Sequence, residues 1–162
     1  MSQDFATQMG AHIPRMYRVA LRIVFDTDRA HDVVEDACVK ALRKIDNFNG
    51  DASLASWLHR ITVNCARDYL RGNNREKKKI EAFGLRVVQS PCSAPNPAGA
   101  IEQREMIDMV LQQVQLLPDD CRTAFVLTQL DGYSYDQAGE IEDQPRGTVA
   151  SRVFRAKQLL LK

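Results

Sequence analysis

The chain has no CxxC pair, no apolar run near the ~20 residues that cross a bilayer, and no alternating pattern strong enough to assign a strand. The four cysteines (Cys38, Cys65, Cys92 and Cys121) are far apart, which argues against a disulfide framework or a zinc site. Cys38 and Cys65 fall on apolar helical faces, where cysteine serves as a small buried residue. His12, His31 and His59 are scattered, without a nucleophile–base pair or a metal-ligand cluster. No enzyme, cofactor, metal or small-molecule substrate is therefore expected. The N-terminus, Met1-Ser2-Gln3-Asp4, lacks the basic stretch and apolar core of a signal peptide, so a cytoplasmic protein is expected. What remains, 162 residues of which 44% are hydrophobic and 27% charged, suits one soluble domain or two small ones.

Acid is also missing after Asp143. Residues 144–162 carry five Lys or Arg and net +5, whereas residues 81–143 carry three against eleven Asp or Glu, net −8. Residues 1–80 carry fourteen Lys or Arg against ten acids, net +4. Two basic patches thus flank an acidic stretch, and the overall charge of +1 hides them. Local fields of this kind attract a polyanion, although two solvated clusters would give the same count.

Apolar spacing predicts an all-α chain. Phe5, Met9, Ile13, Met16, Ala20 and Ile23 mark a first helix, which Pro14 kinks or restarts. A second is expected over about 29–45 behind an Asp28 cap, with Val33, Val34, Ala37, Cys38, Ala41 and Leu42 on one stripe. A third, about 53–71, buries Leu54, Leu58, Ile61 and Cys65 and stops at Gly72-Asn73-Asn74. Pro91, Pro95 and Pro97 leave few helical options and mark a flexible linker. Helices over about 101–116 (Ile107, Val110, Leu111, Val114) and 118–130 follow, then two shorter ones. The division expected is a helical domain at 1–80, a linker at 81–100 and a second helical domain at 101–162.

The last two helices read as a helix-turn-helix. Ser134-Tyr135-Asp136-Gln137 fits a capping box, and the chain breaks at Glu142-Asp143-Gln144-Pro145. On the following helix Val149, Val153, Ala156 and Leu160 form one buried seam. Thr148, Ser151, Phe154 and Arg155 cluster opposite, where hydroxyls and a guanidinium can meet base edges in a major groove. An amphipathic hairpin would give the same pattern. On the third helix Arg60, Asn64, Arg67 and Arg71 share a face with Trp57 at its edge, and Arg75, Lys77, Lys78 and Lys79 extend the charge. Cations beside an exposed aromatic suit single-stranded DNA. A core tryptophan beside solvating arginines is the other reading.

Taken together, the two halves resemble bacterial RNA polymerase sigma factors of the sigma-70 family, extracytoplasmic function (ECF) group, which keep only regions 2 and 4. The matching stretches are PRMYRVALR at 14–22, DVVEDA at 32–37 with Lys40-Ala41-Leu42, and FNGDAS at 48–53 running into WLHRI at 57–61. In the second half they are LPDD at 117–120, LDGYSY at 130–135, and Gly147-Thr148-Val149 with SRVFRA at 151–156. The resemblance implies that 1–80 is region 2 and 101–162 is region 4. Asp32, Val33, Glu35, Asp36 and Lys40 would dock on core RNA polymerase. Phe48, Asn49, Ser53, Trp57, Arg60, Asn64, Arg67 and Arg71 would melt and hold the −10 element. Arg146, Thr148, Ser151, Arg152, Phe154 and Arg155 would read the −35 element. Promoter DNA and a membrane-linked anti-sigma factor complete the implied partners.

The chain departs from that pattern in places. Glu35 stands where glutamine is common, Glu142 and Asp143 replace an apolar residue and glycine at the turn, and Ala150 replaces a basic residue. Two acids at the turn are expected to repel phosphate, and Ala150 removes a cation, so −35 binding should weaken or change its preference. With the chain stopping at Lys162, the last helix is expected to lack part of its length. Two alternatives stay open here: a sigma-like decoy that binds an anti-sigma factor without promoter activity, and a helix-turn-helix regulator acting without polymerase. In the free protein the acidic stretch 101–143 is expected to lie against the basic face of the first domain, closing over both DNA surfaces and loosening in high salt.

Overall fold

A computed structural model describes residues 2–82 and 101–162. Among the described residues every regular element is helical: α1 (Ser2–Val24), α2 (Thr27–Lys44), α3 (Leu54–Ala82), α4 (Ile101–Gln115), α5 (Asp119–Phe125), α6 (Tyr135–Glu142) and α7 (Arg146–Leu160). A short 3-10 turn, Ile45–Asn47, follows α2, and α5 widens into a π-helical segment at Val126–Leu130.

Helices α1, α2 and α3 pack on one another as a bundle, because each carries an apolar stripe at helical spacing. Met16, Val19, Ala20 and Ile23 of α1 meet Ala30, Val33, Val34 and Ala37 of α2 and Leu58, Val63 and Ala66 of α3 in one core. Three sequence expectations are corrected here. Pro14 does not divide α1; the carbonyl it leaves unbonded belongs to Gly10, which is exposed and open to water. The cap of α2 is Asp26, not Asp28: Asp26 is extended and its carboxylate accepts the Arg29 amide at 3.0 Å, while Asp28 sits in the first turn. Helix α3 passes through Gly72-Asn73-Asn74 to Ala82, carried by the good helix formers that follow. The expected linker, 81–100, begins inside α3 and from residue 83 lies outside the described residues.

In the C-terminal half, α5, α6 and α7 pack together with Leu127, Ile141, Val149 and Val153 inside. Ser134 caps α6 with the expected capping box: its hydroxyl accepts the Gln137 amide and the Gln137 side chain accepts the Ser134 amide. Helix α6 ends on Asp143 in the left-handed region (φ 55°). The turn is tight enough to demand glycine, since a Cβ on Gly139 would stand 2.6 Å from the Gln144 carbonyl oxygen. The α4 stripe is less buried than its spacing implies: Val114 is inside, but Ile107 and Val110 are exposed.

The halves do not stand apart. Ala124, Leu127, Tyr133, Ala138, Ile141, Val149 and Val153 belong to the same continuous core as the α1–α3 bundle. From the other side, Phe25 packs against the smaller core of Val114, Leu117, Cys121, Phe125, Val126 and Ala156.

Candidate polymerase and nucleic-acid interfaces

The acidic face of α2 is open. Asp32, Glu35 and Asp36 are exposed, on the side away from the buried Val34 and Ala37. Asp32 takes a weak hydrogen bond from Arg29 at 3.4 Å. Lys40 reaches back to Asp36 at 2.9 Å, and that bond holds the Asp36 carboxyl below its usual range and raises the Lys40 ammonium. Lys40 also lies 3.4 Å from the Cys65 sulfur, so it is half-buried toward α3. Val33 departs from the expected set: it is buried in the core and presents no surface to a partner.

The loop before α3 is a built turn. Gly50 takes a positive φ of 80°, and Asn49 hydrogen-bonds with Asp51 on either side of it. Ser53 accepts the Ser56 amide at 3.1 Å, capping α3. Trp57 is neither fully core nor free: it is half-buried, with Phe48 tilted against it at 5.2 Å and Phe5 edge-on at 6.3 Å. Asn64 and Arg71 are exposed, Arg71 near Asp68 at 3.9 Å. Arg60 and Arg67 are committed elsewhere. Arg60 pairs with Asp143 at 3.3 Å. Arg67 is only 13% exposed and binds Glu142, with Asp120 at 3.9 Å.

On α7, Ser151, Phe154 and Arg155 project outward, Phe154 being 65% exposed. Val149, Val153 and Ala156 are buried as the seam requires, while Leu160 is half-buried. Thr148 is half-buried, and the Ser151 hydroxyl donates back to the Gly147 carbonyl at 3.1 Å. Arg146 lies 3.7 Å from Asp136. Arg152 leans inward to Glu142 at 3.5 Å and Asp120 at 3.6 Å. A cleft of about 510 Å³ lies where the two arginine sets meet, lined by Arg67 and Arg71 from α3 and by Asp120, Ser151, Arg152 and Arg155.

Glu142 overturns an expectation. It does not sit at the turn facing solvent; its side chain is 0% exposed and held between Arg67 and Arg152. Burial pushes its carboxyl up against the pull of those two arginines. Other contacts across the halves had no signature in the sequence. The Arg122 guanidinium is buried and donates to the Ile23 carbonyl at the end of α1 at 2.7 Å. Arg22 pairs with Asp131 at 3.0 Å, and Arg15 donates to the Asp131 carbonyl at 3.2 Å. The Tyr133 hydroxyl bonds His59 Nδ1. The sequence's hint at this surface was the pair Glu142 and Asp143, acids at a turn where the resembled family pattern has an apolar residue and glycine.

Among the described residues no group of His, Cys, Asp or Glu is arranged to hold a metal, and no helix is long and apolar enough to cross a membrane. Residues 9–76 match the model for sigma-70 region 2, and residues 107–160 match that for sigma-70 region 4. The ECF RNA polymerase sigma-E factor of Escherichia coli K12 is 37% identical over 134 residues, covering 80% of this chain and 70% of that protein. The RNA polymerase sigma-H factor of Pseudomonas aeruginosa is 34% identical over 145 residues, 86% of this chain and 75% of that one. The sigma factor RpoE of Bartonella quintana, solved in complex with the anti-sigma factor NepR, superposes with a TM-score of 0.79 at 28% identity, covering 98% of this chain and 94% of that one. CnrH, solved with the cytosolic domain of CnrY, shares the fold (TM-score 0.68, 22% identity, 99% of this chain and 87% of that one).

Proposed function

The chain belongs to the sigma-70 family, in its ECF group, and from that premise we propose how its surfaces divide the work of initiation. It is a sigma factor that binds core RNA polymerase and directs promoter-specific transcription initiation; members of this family are initiation factors, not enzymes. We assign residues 1–80 to region 2, 81–100 to the linker and 101–162 to region 4, and place its action in the cytoplasm with the polymerase. The acids of α2, Asp32, Glu35 and Asp36, form the polymerase contact. Three carboxylates in water, one of them pre-oriented by Lys40, suit a basic surface, and their loss on mutation leaves the core alone.

The α3 face holds the opened −10 strand. Trp57, propped on Phe48 and Phe5, offers a base a flat partner, while Asn64 can hydrogen-bond a base edge and Arg60, Arg67 and Arg71 can neutralise phosphates. The outward face of α7 takes the −35 duplex: Arg155 and Ser151 reach polar base edges or phosphates and Phe154 can touch a thymine methyl. An anti-sigma factor that covers the polymerase-binding faces is the further partner, as for the Bartonella quintana sigma factor solved with its own. Neither the decoy nor the polymerase-independent regulator is favoured by any of these findings.

The observation that carries this reading is the order of the two family matches: the one over α1–α3 contains the acid and tryptophan faces, the one over α4–α7 contains the helix-turn-helix. Two substitutions in the holoenzyme test the division. Arg155→Ala should cost roughly 1–3 kcal/mol on −35 duplex and little on a melted −10 strand. Asn64→Ala should do the reverse. Equal effects of both on both DNA forms would overturn it.

A further inference from the structure

Cys65 has no part in the proposed DNA or polymerase contacts, yet it touches a residue that does. The Lys40 ammonium of α2 donates to Asp36 at 2.9 Å and, in the same pose, to the Cys65 sulfur of α3 at 3.4 Å. An amine and a thiol are therefore held in contact across two helices, at a separation fixed by the packing of α2 on α3. Cys65 itself is only 4% exposed, whereas the Lys40 side chain is 39% exposed. A solute as small as a peroxide can thus reach the sulfur alongside Nζ.

The other described cysteines lack this neighbour. Cys38 is half-buried with Glu35 as its charged neighbour, and Cys121 is buried with Arg155, Arg152 and acids around it. A guanidinium offers no amine to join. At the α2–α3 contact, burial raises the Cys65 thiol and the bond to Asp36 raises the Lys40 ammonium, so both stay protonated and inert in reducing conditions.

We propose that Lys40 and Cys65 form a peroxide-responsive modification site, joined on oxidation by a nitrogen–oxygen–sulfur bridge. One oxygen atom spans the existing gap with less movement than a direct sulfur–nitrogen bond. A first hydrogen peroxide oxidises the thiol to a sulfenic acid: a sulfur–oxygen bond forms, the peroxide bond breaks and one water leaves. Lys40 gives its ammonium proton to solvent. A second hydrogen peroxide then oxidises the nitrogen as the sulfenic oxygen bonds Nζ, and two waters leave. Four electrons pass from sulfur and nitrogen to the two peroxides. Thiols supplying four electrons return the thiol, the amine and one water. The bridge neutralises Lys40, breaks its contact with Asp36 and ties α2 to α3. Weakened docking on polymerase follows only if the α2 face is the polymerase contact; the bridge itself does not rest on that reading.

The test oxidises the full reduced chain with excess hydrogen peroxide, removes the peroxide with catalase, and measures intact and tryptic masses. The chain should gain about 14 Da, one oxygen added and two hydrogens lost, on a peptide pair joining Lys40 to Cys65, and dithiothreitol should reverse the change. Lys40→Arg keeps the positive charge but should give no joined peptides. A Cys65 that stays unreacted, carries oxygen alone, or pairs with Cys38 as a disulfide overturns the site. The same samples are then titrated against untreated core polymerase. Oxidised wild type should bind at least about fivefold more weakly and recover with dithiothreitol, while Cys65→Ala should bind equally well before and after peroxide. Joined peptides with unchanged affinity leave the modification standing and remove Lys40 from the polymerase contact.

Discussion

His59 reports on the packing between the two halves. Its ring is fully buried, Nδ1 meets the Tyr133 hydroxyl edge-on to that ring, and Nε2 has no partner. Burial above all, with repulsion from Arg15, His12 and Arg18, lowers its pKa from 6.5 to about 4. The sign follows: the unfolded chain takes the proton first, so the contribution is complete above the unfolded pKa and is lost as pH falls from about 6.5 toward 4. At pH 5 the loss is about 2 kcal/mol, out of about 3 kcal/mol once the ring is protonated in both states. Asp131 and Glu142, whose carboxyls burial raises, act in the opposite sense and cancel between wild type and variant. His59→Gln keeps an amide for Tyr133 and removes the titrating group. Urea unfolding at pH 7.5 and pH 5 should show the wild type losing about 2 kcal/mol more than the variant. A difference below about 0.5 kcal/mol would refute the buried, neutral imidazole and with it the seating of Tyr133 on α3.

Charge reversal at Asp36 should weaken binding to core polymerase at least about tenfold in a titration while leaving thermal unfolding unchanged, since the side chain is exposed; unchanged affinity would remove α2 from the contact. Gly139→Ala drives a Cβ into the Gln144 carbonyl and should cost about 1–3 kcal/mol of stability, read by urea unfolding, with loss of −35 duplex binding. The radius of gyration should move little between low and high salt. The interface contains apolar core and a buried ion pair, which salt screens weakly, so the salt-driven opening expected from charge alone is not what this packing supports. Marked expansion in 1 M salt would mean that exposed pairs such as Arg60–Asp143 do most of the holding.

Much of the fold was legible because its signals are local. The Ser134 capping box and the seam of Val149, Val153 and Ala156 depend on residues within a turn or two, and both stand in the structure. Misread points were those where solvent or neighbours overrule a local rule. Gly10 lets Pro14 pass, and the helix-forming run after Asn74 carries α3 through a stop signal. In the candidate sites, helical phase placed the α2 acids and the outward face of α7 in solvent correctly. It also put Arg60 and Arg67 on one face of α3, but a helical wheel carries no record of what lies opposite. Glu142 is the clearest case. Charge alone placed it against phosphate, whereas its partners are 75 and 10 residues away in the chain.

The central claim is that this chain confers promoter specificity on RNA polymerase. Reconstituting it with core polymerase and selecting transcribed templates from a library randomised at the −35 and −10 positions tests that claim most directly. The account predicts initiation at discrete start sites only when the chain is present, with paired −35 and −10 sequences enriched. Enrichment at the −35 position should collapse with Arg155→Ala and that at −10 with Asn64→Ala. A chain that binds core polymerase yet enriches no promoter sequence would contradict it.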